Sequence, residues 1–263
     1  MIIQVVLYLI TGVLSGLLAG LLGIGGGMVT IPALTFIFYG LDVPPEYLMH
    51  LVIGTSLASM IFNTLSSSFS HFRRHNIILK VVGLLVPGCL LGAVIGPFLA
   101  KILPSDFLQT FFGAFAVYMG SRMMIRKKKM VKEAKMPHWP SFLLYGLGIG
   151  TLSTMLGVGG GLMTVPLLTH FGVEMKKSVG SSSLLSFFIT LIGAVAFLIF
   201  GEEAPPIHDA VGFIYLPAFF IIAFVSFLFA PLGVKLTHKL PTKRIRQIFG
   251  VILIIAGLMM IYH

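Results

Sequence analysis

The run Gly23-Ile24-Gly25-Gly26-Gly27-Met28-Val29-Thr30-Ile31-Pro32-Ala33-Leu34 is written a second time as Gly157-Val158-Gly159-Gly160-Gly161-Leu162-Met163-Thr164-Val165-Pro166-Leu167-Leu168. The likeness extends well beyond it. Gly54-Thr55-Ser56-Leu57 pairs with Gly180-Ser181-Ser182-Ser183-Leu184, and Pro97, Pro104, Gly113 and Gly120 find partners in Pro231, Pro241, Gly250 and Gly257, in the same order. Matches that stay collinear describe a duplication: a first repeat over 1–125, a basic linker over 126–140 and a second repeat over 141–263.

Consecutive glycines inside an apolar stretch are expensive if the chain stays helical, about 1 kcal/mol each relative to alanine. Helix packing through small residues accounts for spaced glycines such as Gly12, Gly16 and Gly20. It accounts poorly for contiguous Gly25, Gly26 and Gly27 followed by Thr30 and Pro32, a pattern that recurs as Gly159, Gly160, Gly161, Thr164 and Pro166. A broken helix fits better. The next short helix then begins with unpaired N–H groups near mid-membrane, and such a helix start attracts an anion without a full charge. A nucleotide-binding loop is excluded, because neither glycine run is followed by Gly-Lys-Ser/Thr.

The surroundings are lipid-grade. Hydrophobic residues make up 57% of the chain and charged residues only 10%, against roughly 25% charged in a soluble domain. No strand-like alternation appears, so helices are what can satisfy the backbone in a bilayer. Apolar runs lie at 2–22, 28–39, 48–70, 79–100 and 106–125, then at 141–156, 162–172, 179–200, 211–234 and 244–262. The start of the chain lacks a basic n-region and reads as a retained helix. Trp139 reads as an interfacial anchor, and lone Cys89 can form neither an intrachain disulfide nor a zinc cluster.

Loop charge orients the spans. The net charge is +10, and all but Lys101 of the 18 Lys and Arg fall at 73–80, 122–135, 176–177 and 235–246. The connections at 40–47, 101–106 and 201–210 are acidic. Basic loops stay cytoplasmic, where they meet anionic headgroups, and this reading displaces nucleic acid as the partner. The charges are consistent only if each Gly-broken unit returns to the side it came from. The expected fold is therefore an all-α integral membrane protein of two inverted-topology repeats, each a returning unit plus three full spans. Both termini then lie outside the cell (inner) membrane.

Candidate site residues follow from the polar positions inside these spans. Thr55, Ser56, Ser181 and Ser182 either back-bond to their helices or converge with the glycine breaks as hydrogen-bond donors. Asn63 with Ser66, Ser67 and Ser68 forms a polar stripe without a counterpart in Phe187–Phe200, so any site is asymmetric. No Asp or Glu falls inside a span, which leaves no carboxylate relay and suits an anionic cargo. His50, His71 and His170 read as interfacial residues. No catalytic set, cofactor motif or metal cluster is found, so an enzyme is not expected; homo-oligomerisation is left open.

At these residues the sequence resembles the sulfite exporter family, TauE/SafE, a set of membrane permeases with a duplicated Gly-rich repeat. The likeness rests on Gly23–Pro32, on Gly157–Pro166, on the Thr/Ser pairs and on His71-Phe72-Arg73-Arg74-His75-Asn76-Ile77, and covers essentially the whole chain. It implies transport, mostly export, of small anions such as sulfite, sulfoacetate and related organosulfur compounds. It also implies a substrate-pathway role for Gly25, Gly26, Gly27, Thr30, Thr55 and Ser56, and for Gly159, Gly160, Gly161, Thr164, Ser181 and Ser182. The expected mechanism is alternating access; a passive anion channel and a non-transporting scaffold are the rival readings.

Overall fold

In hydrocarbon each backbone N–H and C=O must be paired within its own segment, and the apolar runs accordingly become helices. The computed structural model describes residues 2–41, 43–125, 139–202, 208–237 and 242–262. Its first half holds α1 (Ile2–Leu22), α2 (Gly27–Phe38), α3 (Leu48–Phe72), α4 (Leu79–Ile102) and α5 (Ser105–Ile125). The second holds α6 (Trp139–Met155), α7 (Gly161–His170), α8 (Met175–Phe200), α9 (Leu216–Thr237) and α10 (Thr242–Tyr262). Most of the basic linker expected at 126–140, together with Asp42 and Glu203, lies outside the described residues.

Most boundaries fall within three residues of expectation; α8 begins four residues early, at Met175, and the starts of α5 and α9 differ for identifiable reasons. α5 begins at Ser105, so Asp106 stands in its first turn, where a carboxylate complements the positive helix end. α9 begins at Leu216 and not near 211, because β1 (Ala210–Val211) and β2 (Ile214–Tyr215) form a small antiparallel hairpin. Gly212 turns that hairpin at φ +56°.

Among the described residues, α1, α3 with the turn before it, α4, α8 and α9 are long and apolar enough to cross a membrane. α5 and α10 have the length, 21 residues each, or about 30 Å, but carry more polar side chains. The short helices α2 and α7, with 12 and 10 residues, reach only about 18 and 15 Å, far less than the ~30 Å hydrocarbon core.

α3 and α8 form the centre. They run antiparallel and meet through Thr64 and its repeat equivalent Thr190, oxygens 3.4 Å apart, and through Ser67 and Ser183 at 3.0 Å. α3 lies in the most enclosed of these spans, with 83% of its most apolar 18-residue stretch buried. α5 and α10 are also antiparallel, with Gly113 against Gly257 and Gly120 against Gly250. Two parallel pairs pack through small residues. In α1, Gly12, Gly16 and Gly20 press on Val225, Ser226 and Ala230 of α9; in α4, Gly88, Gly92 and Gly96 press on Leu143, Leu147 and Thr151 of α6. Small residues let these backbones approach closely.

This pairing crosses the sequence halves: α9 of the second half packs on α1 of the first, and α4 of the first packs on α6 of the second. The larger apolar core draws on all ten helices, with Ala100 of α4, Met155 of α6, Leu162 of α7 and Phe197 of α8 among its residues, and a smaller one joins α4, α6, α7 and α8. Helix pairing thus cuts across the sequence halves.

Candidate functional site

α1 runs parallel to α3, with Ser15 beside Asn63, Ala19 beside Ser67 and Gly20 beside His71. The chain then reverses, and α2 climbs back along α3 from Met60, next to Gly27, to Met49, next to Thr35. Glycine makes the reversal possible. Gly23, Gly25 and Gly26 adopt φ of +67°, +78° and +84°, and Gly157 and Gly160 adopt +64° and +77°, a region that costs an L side chain roughly 1–2 kcal/mol. Gly26 and Gly160 are the N-caps of α2 and α7. Each offers its carbonyl to two N–H groups of the new helix, those of Val29 and Thr30 or of Met163 and Thr164. The N–H groups of Gly27, Met28, Gly161 and Leu162 have no backbone acceptor among the described residues.

The two breaks touch. A Cβ at Gly25 would lie 3.1 Å from the Cα of Gly159. A Cβ at Gly161 would collide with the carbonyl oxygen of Gly23, and one at Gly27 with that of Gly157. Those carbonyls are held by hydroxyls of the central helices: Ser56 donates to Gly157 and Ser182 to Gly23, each at 3.1 Å. A carbonyl oxygen of one break thus rests against the first residue of the helix that follows the other. Both sequence readings of the glycines hold, at different residues: Gly23, Gly26 and Gly160 serve the turn, while Gly27 and Gly161 serve close packing.

The remaining expected residues fall into two groups. Thr55 and Ser181 are tied to connections of the opposite repeat: Thr55 accepts the N–H of Tyr215 just before α9, and Ser181 that of Ile78 just before α4, each at 2.9 Å. Thr30 and Thr164 bond back to the carbonyls of Gly26 and Gly160. Asn63 is fully buried and donates to Ser15 Oγ at 3.1 Å, while its Oδ1 has no partner. His50 and His71 are buried at span ends, with a ring nitrogen on the carbonyl of Ala100 and of Gly20 respectively; His170 is exposed.

Three residues went unread in the sequence: Ser15, Ser153 and Ser186. Ser15 lies under Gly26 and also receives the Thr30 hydroxyl, at 3.2 Å. Ser153 lies beside Gly160 and Ser186 beside Gly159. A usable signal was present, since each is polar where the aligned position of the other repeat is apolar (Ile149, Ala19 and Met60).

Two cavities open toward opposite ends of the bundle, and one of them reaches the contact. One of ≈ 60 Å³, lined by Leu22, Ile24, Met119, Arg122, Gly161 and Leu162 among others, rises from the end of α5 to the second break. The other, of ≈ 400 Å³, opens at the opposite end between Glu46, His50, Lys101 and Phe213.

Two buried glycine breaks thus meet inside an apolar bundle, and among the described residues no group of metal-binding side chains gathers. The model of the sulfite exporter TauE/SafE family matches residues 8–260. The chain belongs to that family. TauE/SafE proteins are membrane transporters and not an enzyme class, so this chain is a multi-pass membrane protein of the transporter kind. It is 33% identical to a probable membrane transporter protein of Haemophilus influenzae over 97% of both chains. A probable membrane transporter protein of Methanocaldococcus jannaschii shares 29% identity over 97% of this chain and 94% of its own. The probable membrane transporter protein YunE of Bacillus subtilis shares 25% over 98% and 97%. No solved structure matches the chain.

Proposed function

We propose that this TauE/SafE protein is an alternating-access carrier that exports a small oxyanion, with sulfite, sulfoacetate or a related organosulfur anion as cargo. The anion binds between the two glycine breaks. The observation that carries this reading is the contact between them: each short helix starts with free N–H groups, and a carbonyl oxygen of the opposing break rests against that start. A partial negative charge therefore stands where an anion would be favoured. Separation of the breaks replaces that carbonyl with cargo.

The bodies that move are two groups of paired helices and not the sequence halves. One contains α1, α2, α3 and α9, the other α6, α7, α8 and α4, and they meet along α3 and α8. The antiparallel course of the equivalent pairs α3/α8 and α5/α10 supports an inverted repeat. Exposed Arg73, Arg74, Lys176, Lys177 and Lys235 cluster where the end of α3, the start of α8 and the end of α9 meet, which supports a cytoplasmic assignment for that end.

Reconstitution into liposomes tests the reading. Flux of sulfite or sulfoacetate should saturate and should accelerate with the same anion on the far side. Linear flux without counter-transport would make the protein a channel, and no flux of either anion would leave a scaffold. Cysteines at Glu46 and Arg74 should label from outside and inside respectively.

A further inference from the structure

The groups expected to face the cargo in the second repeat, Ser181 and Ser182, are both occupied. Ser181 accepts a backbone N–H and Ser182 donates to the Gly23 carbonyl. The hydroxyls of Ser153 and Ser186, by contrast, are completely buried and have no hydrogen-bond partner. Their neighbours show that the local helices offer acceptors. Thr154, next to Ser153, donates to the carbonyl of Gly150 at 2.9 Å, and Thr190, one turn beyond Ser186, donates to that of Phe187 at 3.1 Å.

An unpaired buried polar group is costly and calls for an explanation. Its location supplies one. Ser153 Oγ would lie 3.3 Å from a Cβ at Gly160, and Ser186 Cβ 3.2 Å from one at Gly159, the residue that packs on Gly25. Across that contact stands Asn63 with its unpartnered Oδ1. Its amide is bonded only to Ser15 Oγ, which also receives the Thr30 hydroxyl. Turning the amide over lets Ser15 donate to Oδ1 and leaves two N–H donors unused. Polar groups without partners thus stand on both sides of one closed joint.

We infer that Ser153 and Ser186 are cargo-binding residues: their hydroxyls donate to the anion's oxygens once the breaks part, opposite the amide of Asn63. This deepens the carrier reading and rests on it. The site gains two side-chain donors from the second repeat at positions that the first repeat fills with Ala19 and Met60, so the cargo meets different chemistry on its two sides.

The test is flux in liposomes for Ser153→Ala, Ser186→Ala and the double variant, with sulfite and sulfoacetate as probes, alongside the Tm of each protein in detergent. A hydrogen bond to a charged oxygen is worth roughly a tenfold change in affinity. KM should rise about tenfold for each single variant and further for the double. Tm should hold, because no bond of the resting protein is lost. An unchanged KM in the double variant, with saturable wild-type flux, would overturn this assignment and leave the carrier standing. Absence of wild-type flux would overturn both. A fall in Tm matching that of Ser182→Ala would assign the hydroxyls to the resting fold and overturn it as well.

Discussion

The two glycine breaks share most of a backbone, parting where Gly25 takes φ +78° and Gly159 does not enter that region, and they differ further in what surrounds them. At the first, Gly26 rests on Ser15, which is bonded by both Asn63 and Thr30, so the polar groups hold one another and only the Asn63 Oδ1 is left over. At the second, the corresponding residues are Ile149 and Ile189, which pack on Gly160, and the polar groups nearby, Ser153 and Ser186, stand alone. The positions that repeat build the joint: glycine turns, Thr30 and Thr164 closing the first helical turn, Ser56 and Ser182 clasping the opposite carbonyl. The positions that do not repeat give the joint its chemistry. Duplication can preserve a fold while each copy is free to change its lining.

Substitutions can break that comparison, and the largest effect is expected at Gly161. A Cβ there meets the Gly23 backbone, which has no rotamer to yield, so Gly161→Ala should lower Tm sharply or abolish extraction of folded protein. Overpacking of this kind costs about 1–3 kcal/mol or more. Next come Gly26→Ala and Gly160→Ala, a matched pair. Both pay for a left-handed φ, but Gly26 faces the Ser15 backbone whereas Gly160 faces the flexible tip of Ile189. Gly26→Ala should therefore destabilise clearly more, and equal shifts in Tm would show that the surroundings do not matter.

Ser56→Ala and Ser182→Ala sharpen the symmetric side. Each removes one hydroxyl from a buried carbonyl, a loss of about 0.5–1.5 kcal/mol, and the two losses should be equal in a denaturation series. The smallest effect is expected at Gly159→Ala. Its φ is not left-handed and its nearest neighbours are 3.2 Å away, so folded protein should be recovered with only a slight fall in Tm.

The helices were legible because lipid leaves the chain few options: apolar runs and loop charges located all ten to within a few residues. The hairpin before α9 was not, since Ala210–Tyr215 is as apolar as the span it precedes and only Gly212 marks the turn. The breaks were legible from their glycines. Their lining was read through the repeat, which drew attention to Thr55, Ser56, Ser181 and Ser182, residues engaged in ties between the halves. Ser15, Ser153 and Ser186 escaped because a lone serine in a transmembrane helix is ordinarily satisfied by its own carbonyl ladder. Only tertiary contact shows which one is not. The pairing of α4 and α9 across the halves was equally hidden, because spaced glycines announce close packing without naming the partner.

The measurement that bears most directly on the joint is sulfite flux through liposomes carrying Asn63→Ile, which gives the first break the residue that the second has at Ile189. Wild-type flux should saturate, and the variant should still assemble, with Tm lowered only by the lost Ser15 bond, yet lose flux about tenfold or more, as befits a charged cargo deprived of a buried donor. Flux by Asn63→Ile at the wild-type KM and rate would contradict a cargo site at the first break.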